Sequence, residues 1–271
     1  MRAGFAVDLL NRLAPRRGVA VRAGLAYGPG PRHRLDAYVP ARAAVSAPVL
    51  VFFYGGGWEE GERGMYRFVA AAMAARGILT LVPDYRLYPE VRFPAFMEDA
   101  AAAVAWAGSF VATQGGDPGR LFLMGHSAGA QIATLLALDP RYLRAAGMAR
   151  GSIAGVIGLA GPYDFLPLRS PTLKAIFGPE KAWPASQPIT YVTASAPPML
   201  LAAGTADRVV DPANTQRLAA RLRAAGAAAE VRLYRGLGHR ALLGGFASLL
   251  APLLPVRRAA LRFIVGCGRA A

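Results

Sequence analysis

A serine set between glycines, Gly125-His126-Ser127-Ala128-Gly129, is the stretch of this sequence best suited to covalent chemistry. The apolar run Leu121-Phe122-Leu123-Met124 leads into it, and Ala130 to Leu138, rich in helix formers, leads out. That order reads as buried strand, sharp turn and helix, the context in which a G-x-S-x-G serine becomes an exposed nucleophile. The turn is so tight that residues two before and two after the serine nearly touch, so only glycines fit there. Ser127 is expected in a strained conformation with its hydroxyl pointing out of the sheet. The next helix aims its unsatisfied N–H groups at the reacting oxygen.

A serine hydroxyl needs a general base, and the base needs an acid that orients it. There are three histidines. His33 lies between Arg32 and Arg34 in an early strand and is expected to be exposed. His126 adjoins Ser127, where neighbouring side chains point apart, and reads as a buried polar group beside the site. His239, in Gly236-Leu237-Gly238-His239, follows the last expected strand and is the candidate base. Asp207, in Gly204-Thr205-Ala206-Asp207, follows an earlier strand end and is the candidate acid. Asp211 and Asp164 are its rivals; the first also reads as a helix cap and the second as a turn cap. Attack on a carbonyl develops a negative oxygen that backbone N–H groups can hold. Tyr54-Gly55-Gly56-Gly57-Trp58 ends a buried strand, so Gly56, Gly57 and Ala128 are the candidate donors.

These residues meet only if the chain builds a sheet whose strand ends share one edge. Val19–Tyr27 and His33–Val39 read as two strands joined by Gly28-Pro29-Gly30-Pro31, forming an antiparallel edge. Pro48–Tyr54, Ile78–Val82, the strand before Ser127, Ile153–Leu159, Met199–Ala203 and Ala229–Tyr234 read as further strands. Helices are expected over Met65–Arg76, Pro94–Val111, Ala130–Leu138 and Asn214–Ala225, with a last one within Ala241–Val256. Alternation of this kind implies a mostly parallel eight-stranded sheet with helices on both faces. A short amphipathic helix is expected within residues 1–14. Residues 161–197 break the rhythm, are rich in proline and read as a small lid or pocket wall. One domain over 1–271 is expected, with a short N-terminal segment 1–18.

Composition narrows the class. The chain has 271 residues, 54% of them hydrophobic, which suits a large α/β core. A single cysteine, Cys267, excludes an intramolecular disulfide and, with so few histidines, leaves little room for a metal centre. The net charge of +15 comes almost wholly from scattered arginine, with lysine only at 174 and 181. No recognised nucleic-acid module accompanies it, so no nucleic-acid partner is expected. Arg16-Arg17 and Arg257-Arg258 allow at most weak contact with a membrane surface. No secretory signal or membrane span is recognised, and the expected location is cytoplasmic.

Four stretches together resemble the α/β-hydrolase carboxylesterases, near the hormone-sensitive-lipase-like branch and its relatives that deacetylate sugars or cleave formamides. They are Tyr54-Gly55-Gly56-Gly57-Trp58, Pro83-Asp84-Tyr85-Arg86-Leu87-Tyr88-Pro89-Glu90 with Phe93-Pro94, Gly125-His126-Ser127-Ala128-Gly129, and Gly204-Thr205-Ala206-Asp207 with Gly238-His239. The chain order Ser, Asp, His also matches that fold. The resemblance implies hydrolysis of a small-molecule ester through an acyl-enzyme, without a cofactor, and an architectural role for Asp84 and Arg86. Two departures stand out. Tyr54 replaces the histidine usual before the glycines, so the hydrogen bonds behind the donors must differ. The segment before the sheet is short, which suggests an open site and short acyl groups, with Trp58 and Phe165 as pocket or core residues. Arylformamidase-type amide cleavage by the same residues is the alternative; a hydrolase-fold protein that binds without turnover is a third reading.

Overall fold

The computed structural model describes residues 2–41, 46–149 and 151–267. The chain opens with α1 (Arg2–Arg12) and the strands β1 (Val19–Ala26) and β2 (Arg34–Pro40). Next come β3 (Ala47–Phe53), α2 (Arg67–Ala74), β4 (Leu79–Pro83), α3 (Ala95–Ala112) and β5 (Gly116–His126). After Ser127 follow α4 (Ala128–Leu138), α5 (Pro140–Ala145) and β6 (Gly155–Leu159). The remainder is α6 (Pro171–Phe177), β7 (Met199–Gly204), α7 (Ala213–Ala224), β8 (Ala229–Tyr234), α8 (Ala241–Gly244) and α9 (Val256–Cys267).

The eight strands form one sheet in the order β1-β2-β4-β3-β5-β6-β7-β8. The β1–β2 and β2–β4 pairs are antiparallel and every pair from β4 to β8 is parallel. Strands β3, β4, β6 and β7 are buried almost throughout, which is why they read as continuous apolar runs rather than as alternations. From β3 the chain steps one way to β4, then returns past β3 to β5 and continues outward. Right-handed crossovers therefore put α2 on the face opposite α3, α4 and α7. The direction reverses at β3, so the crevice beyond the carboxyl ends of β3 and β5 is a topological switch point, where ligands bind in open α/β sheets.

Three expectations need correction. The expected last helix within Ala241–Val256 is instead four residues of α8, a series of turns, and a separate α9. Gly244, Gly245, Pro252 and Pro255 interrupt the first stretch. Past Pro255 the buried Val256, Ala260, Phe263 and Ile264 recur at helical spacing. In this helix Arg258 is exposed, whereas Arg257 is half-buried and donates to the Phe246 carbonyl. His33 is not exposed: its ring turns inward, with Nε2 3.1 Å from Asp99 and Nδ1 accepting from the Gly30 N–H at 3.0 Å. Helix α5 was not foreseen; Asp139 caps it through the Arg141 N–H, and Pro140 takes its first position.

The expected N-terminal helix is present as α1, and Met1 lies outside the described residues. Asn11 docks it: the side-chain amide donates to the Gly64 carbonyl at 3.0 Å and accepts from the Phe68 N–H at 3.0 Å. Among the described residues no helix is long and apolar enough to cross a membrane.

Candidate active site

Ser127 follows β5 with φ 55° and ψ −124°, a backbone region costly for any residue with a Cβ. The flanking glycines make that turn possible. A Cβ on Gly125 would lie 2.1 Å from the Gly129 carbonyl oxygen, and one on Gly129 would lie 2.1 Å from that of Phe53. The crowding expected two residues either side of the serine is therefore real. The Ser127 N–H donates to the Leu159 carbonyl at 2.9 Å, which anchors the turn to β6. Ala128 begins α4, so its N–H has no carbonyl four residues back in the helix.

His239 lies in the loop after β8 and Asp207 in the loop after β7. The two loops are pressed together: the Ala206 N–H donates to the Leu237 carbonyl at 3.0 Å, and a Cβ on Gly204 would lie 2.1 Å from that oxygen. His239 Nδ1 sits 2.7 Å from Asp207 Oδ2. The other oxygen, Asp207 Oδ1, accepts from the N–H groups of Val209 at 2.9 Å and Val210 at 3.0 Å. Both carboxylate oxygens are thus committed, and the group is 8% exposed. The rivals have other work. Asp211 caps the first turn of α7 through the Ala213 N–H, and Asp164 pairs with Arg217 at 2.6 Å.

The histidine pair ties this arm to the serine. His126 Nε2 is 3.1 Å from the His239 carbonyl oxygen, and the two rings stand 4.7 Å apart. Ser127 Oγ and His239 Nε2 make no hydrogen bond among the described residues; catalytic contacts of this sort often close only around substrate. His126 is buried, and that burial, with His239 next, lowers its imidazole to about 3. Arg240 lowers it further, while the contact with the His239 carbonyl and the charge of Asp207 oppose the shift. A depressed histidine binds its proton in the unfolded chain but not in the folded one. Stability should therefore fall as pH drops below about 6.5. At about pH 5 this group alone should remove about 2 kcal/mol relative to neutral pH. Urea unfolding at both pH values checks this, with wild type losing more stability than His126→Gln.

The glycine loop after β3 faces the serine. A Cβ on Gly55 would lie 2.9 Å from Ser127 Cβ. Gly56, Gly57 and Trp58 have φ of 135°, 62° and 65°, which bends the chain sharply back on itself. The Gly56 carbonyl accepts from Glu59 and Glu60, both at 3.0 Å, whereas the N–H groups of Gly56 and Gly57 donate to nothing among the described residues.

Tyr54 is held by both its hydroxyl and its ring. Its hydroxyl donates to Asp84 at 2.9 Å and accepts from Arg32 at 2.8 Å. Its ring is stacked between Tyr66 and Tyr85, and the Tyr85 hydroxyl donates to the Tyr54 carbonyl at 2.8 Å. Arg63 also binds Asp84, through its backbone N–H and its guanidinium. Asp84 and Arg86 are therefore architectural as expected, Arg86 through Asp99. Burial raises the Tyr54 hydroxyl well above its ordinary range, so it stays neutral. Tyr54→Phe would leave buried partners short of a hydrogen bond, and thermal or urea unfolding should show a loss of about 1–3 kcal/mol.

Trp58 is 4% exposed and belongs to the core. It stacks on Phe165 at 5.9 Å and meets Phe177 edge-on at 4.8 Å; Phe165 is half-buried. Its indole N–H donates to Gln131 Oε1 at 3.2 Å, and the Gln131 amide donates to the Ser186 carbonyl at 2.8 Å. Gln187 Oε1 accepts from the Phe165 N–H, and Asn214 Oδ1 accepts from those of Tyr163 and Asp164. Segment 161–197 is thus bound to the glycine loop, to α4 and to α7. Sequence reasoning missed Gln131 and Asn214, because a lone polar residue within a helix carries no local mark of a partner far along the chain.

A mostly parallel eight-stranded sheet with a strained strand–serine–helix turn at its switch point defines an α/β-hydrolase fold. Residues 35–222 match the family model described as BD-FAE, and the chain belongs to that family. It is similar to the probable isoprenylcysteine alpha-carbonyl methylesterase ICMEL1 of Arabidopsis thaliana, 30% identical over 242 residues, 81% of this chain and 51% of that protein. It is also similar to the esterase LipC of Mycobacterium tuberculosis, 32% identical over 222 residues, 73% of this chain and 54% of that protein. Among solved structures, the propionate-bound esterase Est2 of Thermogutta terrifontis superposes with a TM-score of 0.75 at 25% identity, covering 93% of this chain and 95% of that one. The chain spans about half the length of the two curated relatives.

Proposed function

We propose that this chain is a serine carboxylesterase that cleaves short-chain acyl esters through an acyl-enzyme. Ser127 Oγ attacks the ester carbonyl while His239 Nε2 takes its proton. The electron pair of the carbonyl moves onto oxygen, held by the N–H groups of Gly56, Gly57 and Ala128. The tetrahedral species collapses, the alkoxide leaves with the proton from His239, and Ser127 keeps the acyl group. Water, deprotonated by His239, then releases the acid by the reverse sequence. Asp207 holds the imidazole with Nδ1 protonated and stabilises the imidazolium.

The observation that carries this reading is the His239–Asp207 contact of 2.7 Å, held beside a serine at φ 55°. The N–H groups of Gly56 and Gly57, which have no acceptor among the described residues, support it. The names of the related esterases agree with it, and Est2 is described with propionate bound. Trp58, Phe165 and Phe177 pack together at the glycine loop, and the short-chain reading takes this aromatic cluster as the wall that limits the acyl group. Hydrolysis of p-nitrophenyl acetate, butyrate, octanoate and palmitate tests it. The acetate and butyrate esters should exceed the octanoate ester by about tenfold or more in kcat/KM. A preference for palmitate would overturn the short-chain assignment, and a folded protein inert on all four would count against the esterase.

A further inference from the structure

We propose that His126 is a positioning residue that fixes the backbone of His239 through a single tautomer with its proton on Nε2. The inference deepens the proposed function and rests on its assignment of His239 as base. A carbonyl oxygen can only accept, so the 3.1 Å contact between His126 Nε2 and the His239 oxygen requires the hydrogen on Nε2. Nδ1 is then a bare lone pair. It has no hydrogen-bond partner among the described residues and no exposure to solvent. A Cβ on Gly55 would lie 3.0 Å from it, so the donor loop closes over this side of the ring.

The arrangement solves a mechanical problem. His239 sits on a loop whose approach contains Gly236, at φ 73°, and Gly238. Glycine gives such a loop freedom; Gly236 is tied to Thr205 and Leu237 to Ala206, but the His239 imidazole can still pivot about its one bond to Asp207. The His126 donor adds a second fixed point, on the backbone of the same residue. It comes from the residue next to Ser127 in the chain. One hydrogen bond, spanning the 113 positions between His126 and His239, therefore registers the neighbour of the nucleophile against the base.

Neutrality is part of the device. During attack the His239 ring gains a positive charge 4.7 Å from the His126 ring. A protonated neighbour at that distance would oppose the charge; a neutral one leaves it to Asp207. Burial keeps His126 neutral across the pH range in which an ordinary histidine titrates. Since the misplaced base would affect the chemical step rather than substrate contact, the cost of losing the donor should fall on kcat.

Two variants and one spectrum test the proposal. His126→Gln keeps an N–H donor near the Nε2 position; His126→Phe keeps a flat ring and lacks the donor. On p-nitrophenyl acetate, His126→Phe should lose about 100-fold in kcat with KM nearly unchanged, and His126→Gln should stay within about threefold of wild type. Full activity in His126→Phe, or a folded His126→Gln as poor as His126→Phe, would overturn it. If His126→Phe does not fold, the wild type still decides. Its long-range proton–nitrogen NMR spectrum should hold His126 with Nε2 protonated and Nδ1 bare from about pH 5 to about pH 9. A protonated Nδ1 would refute the inference. Failure of the underlying reading looks different, because Ser127→Ala would then keep its activity while the His126 spectrum stayed as described.

Discussion

Ser127→Ala should lower kcat on p-nitrophenyl acetate by about 10⁴- to 10⁶-fold while leaving the fold and KM little changed. Removing the hydroxyl deletes the only atom that can carry the acyl group in the proposed cycle. Alanine at position 127 keeps the Cβ that the turn already accommodates at φ 55°, so no new strain is introduced. The Ser127 N–H still reaches the Leu159 carbonyl, and the glycine contacts around Gly125 and Gly129 are untouched. In the proposed cycle the Gly56 and Gly57 donors are untouched by the substitution, so a small residual rate above that of water is expected. Side-by-side kinetics and circular dichroism make the check. A variant within about tenfold of wild type would remove Ser127 from the chemistry.

The second large effect belongs to Asp207→Asn, expected to cost about 10⁴-fold in kcat at neutral pH. The reason lies in how the carboxylate is used. Oδ1 is claimed by the N–H groups of Val209 and Val210, both donors, so an asparagine must place its oxygen there. Its amide nitrogen then faces His239 Nδ1 and donates to it. That forces the imidazole proton onto Nε2, the atom that should accept the proton of Ser127. Geometry survives while the base is lost. Asp211→Asn, at an exposed position that caps the start of α7 and lies 4.0 Å from Arg217, should leave kcat within about twofold, and the pair measured together separates acid from bystander. Equal effects of the two substitutions would sink the choice of Asp207.

What the sequence made legible follows from the range over which each feature is determined. The Gly125–Gly129 turn is local, because the residues that collide are four apart, and its strain was readable from glycine spacing alone. The candidate acid and base were readable because strand ends in a parallel sheet share an edge, so order along the chain becomes order in space. The fold itself followed from alternating apolar runs and helix-forming stretches. Features built by distant partners were not readable. Tyr54 was recognised as a departure, but its partners Arg32 and Asp84 lie 22 and 30 positions away, and nothing local announces them. His33 was misjudged from its arginine neighbours, since Asp99, 66 positions on, turns its ring inward. In the region after His239, the glycine and proline breaks were visible, yet the amphipathic stretch beyond Pro255 was overlooked in favour of the more apolar one before it.

His126 shows the boundary between these cases. Its burial was readable from its place at the end of a buried strand. Its bond to the His239 carbonyl was not, because a backbone acceptor leaves no trace in sequence. Charge gave least. The arginine excess is spread widely, and part of it serves the interior, as with Arg32 behind Tyr54, Arg63 on Asp84 and Arg86 on Asp99.

The most direct test of the central claim is covalent labelling of the wild-type chain with a p-nitrophenyl alkylphosphonate, followed by peptide mass spectrometry. An activated serine attacks phosphorus and expels p-nitrophenolate, leaving a stable adduct that mimics the tetrahedral species. The account predicts rapid loss of activity and one adduct, on Ser127. An unlabelled chain, or an adduct on another residue with Ser127 unmodified, would contradict it.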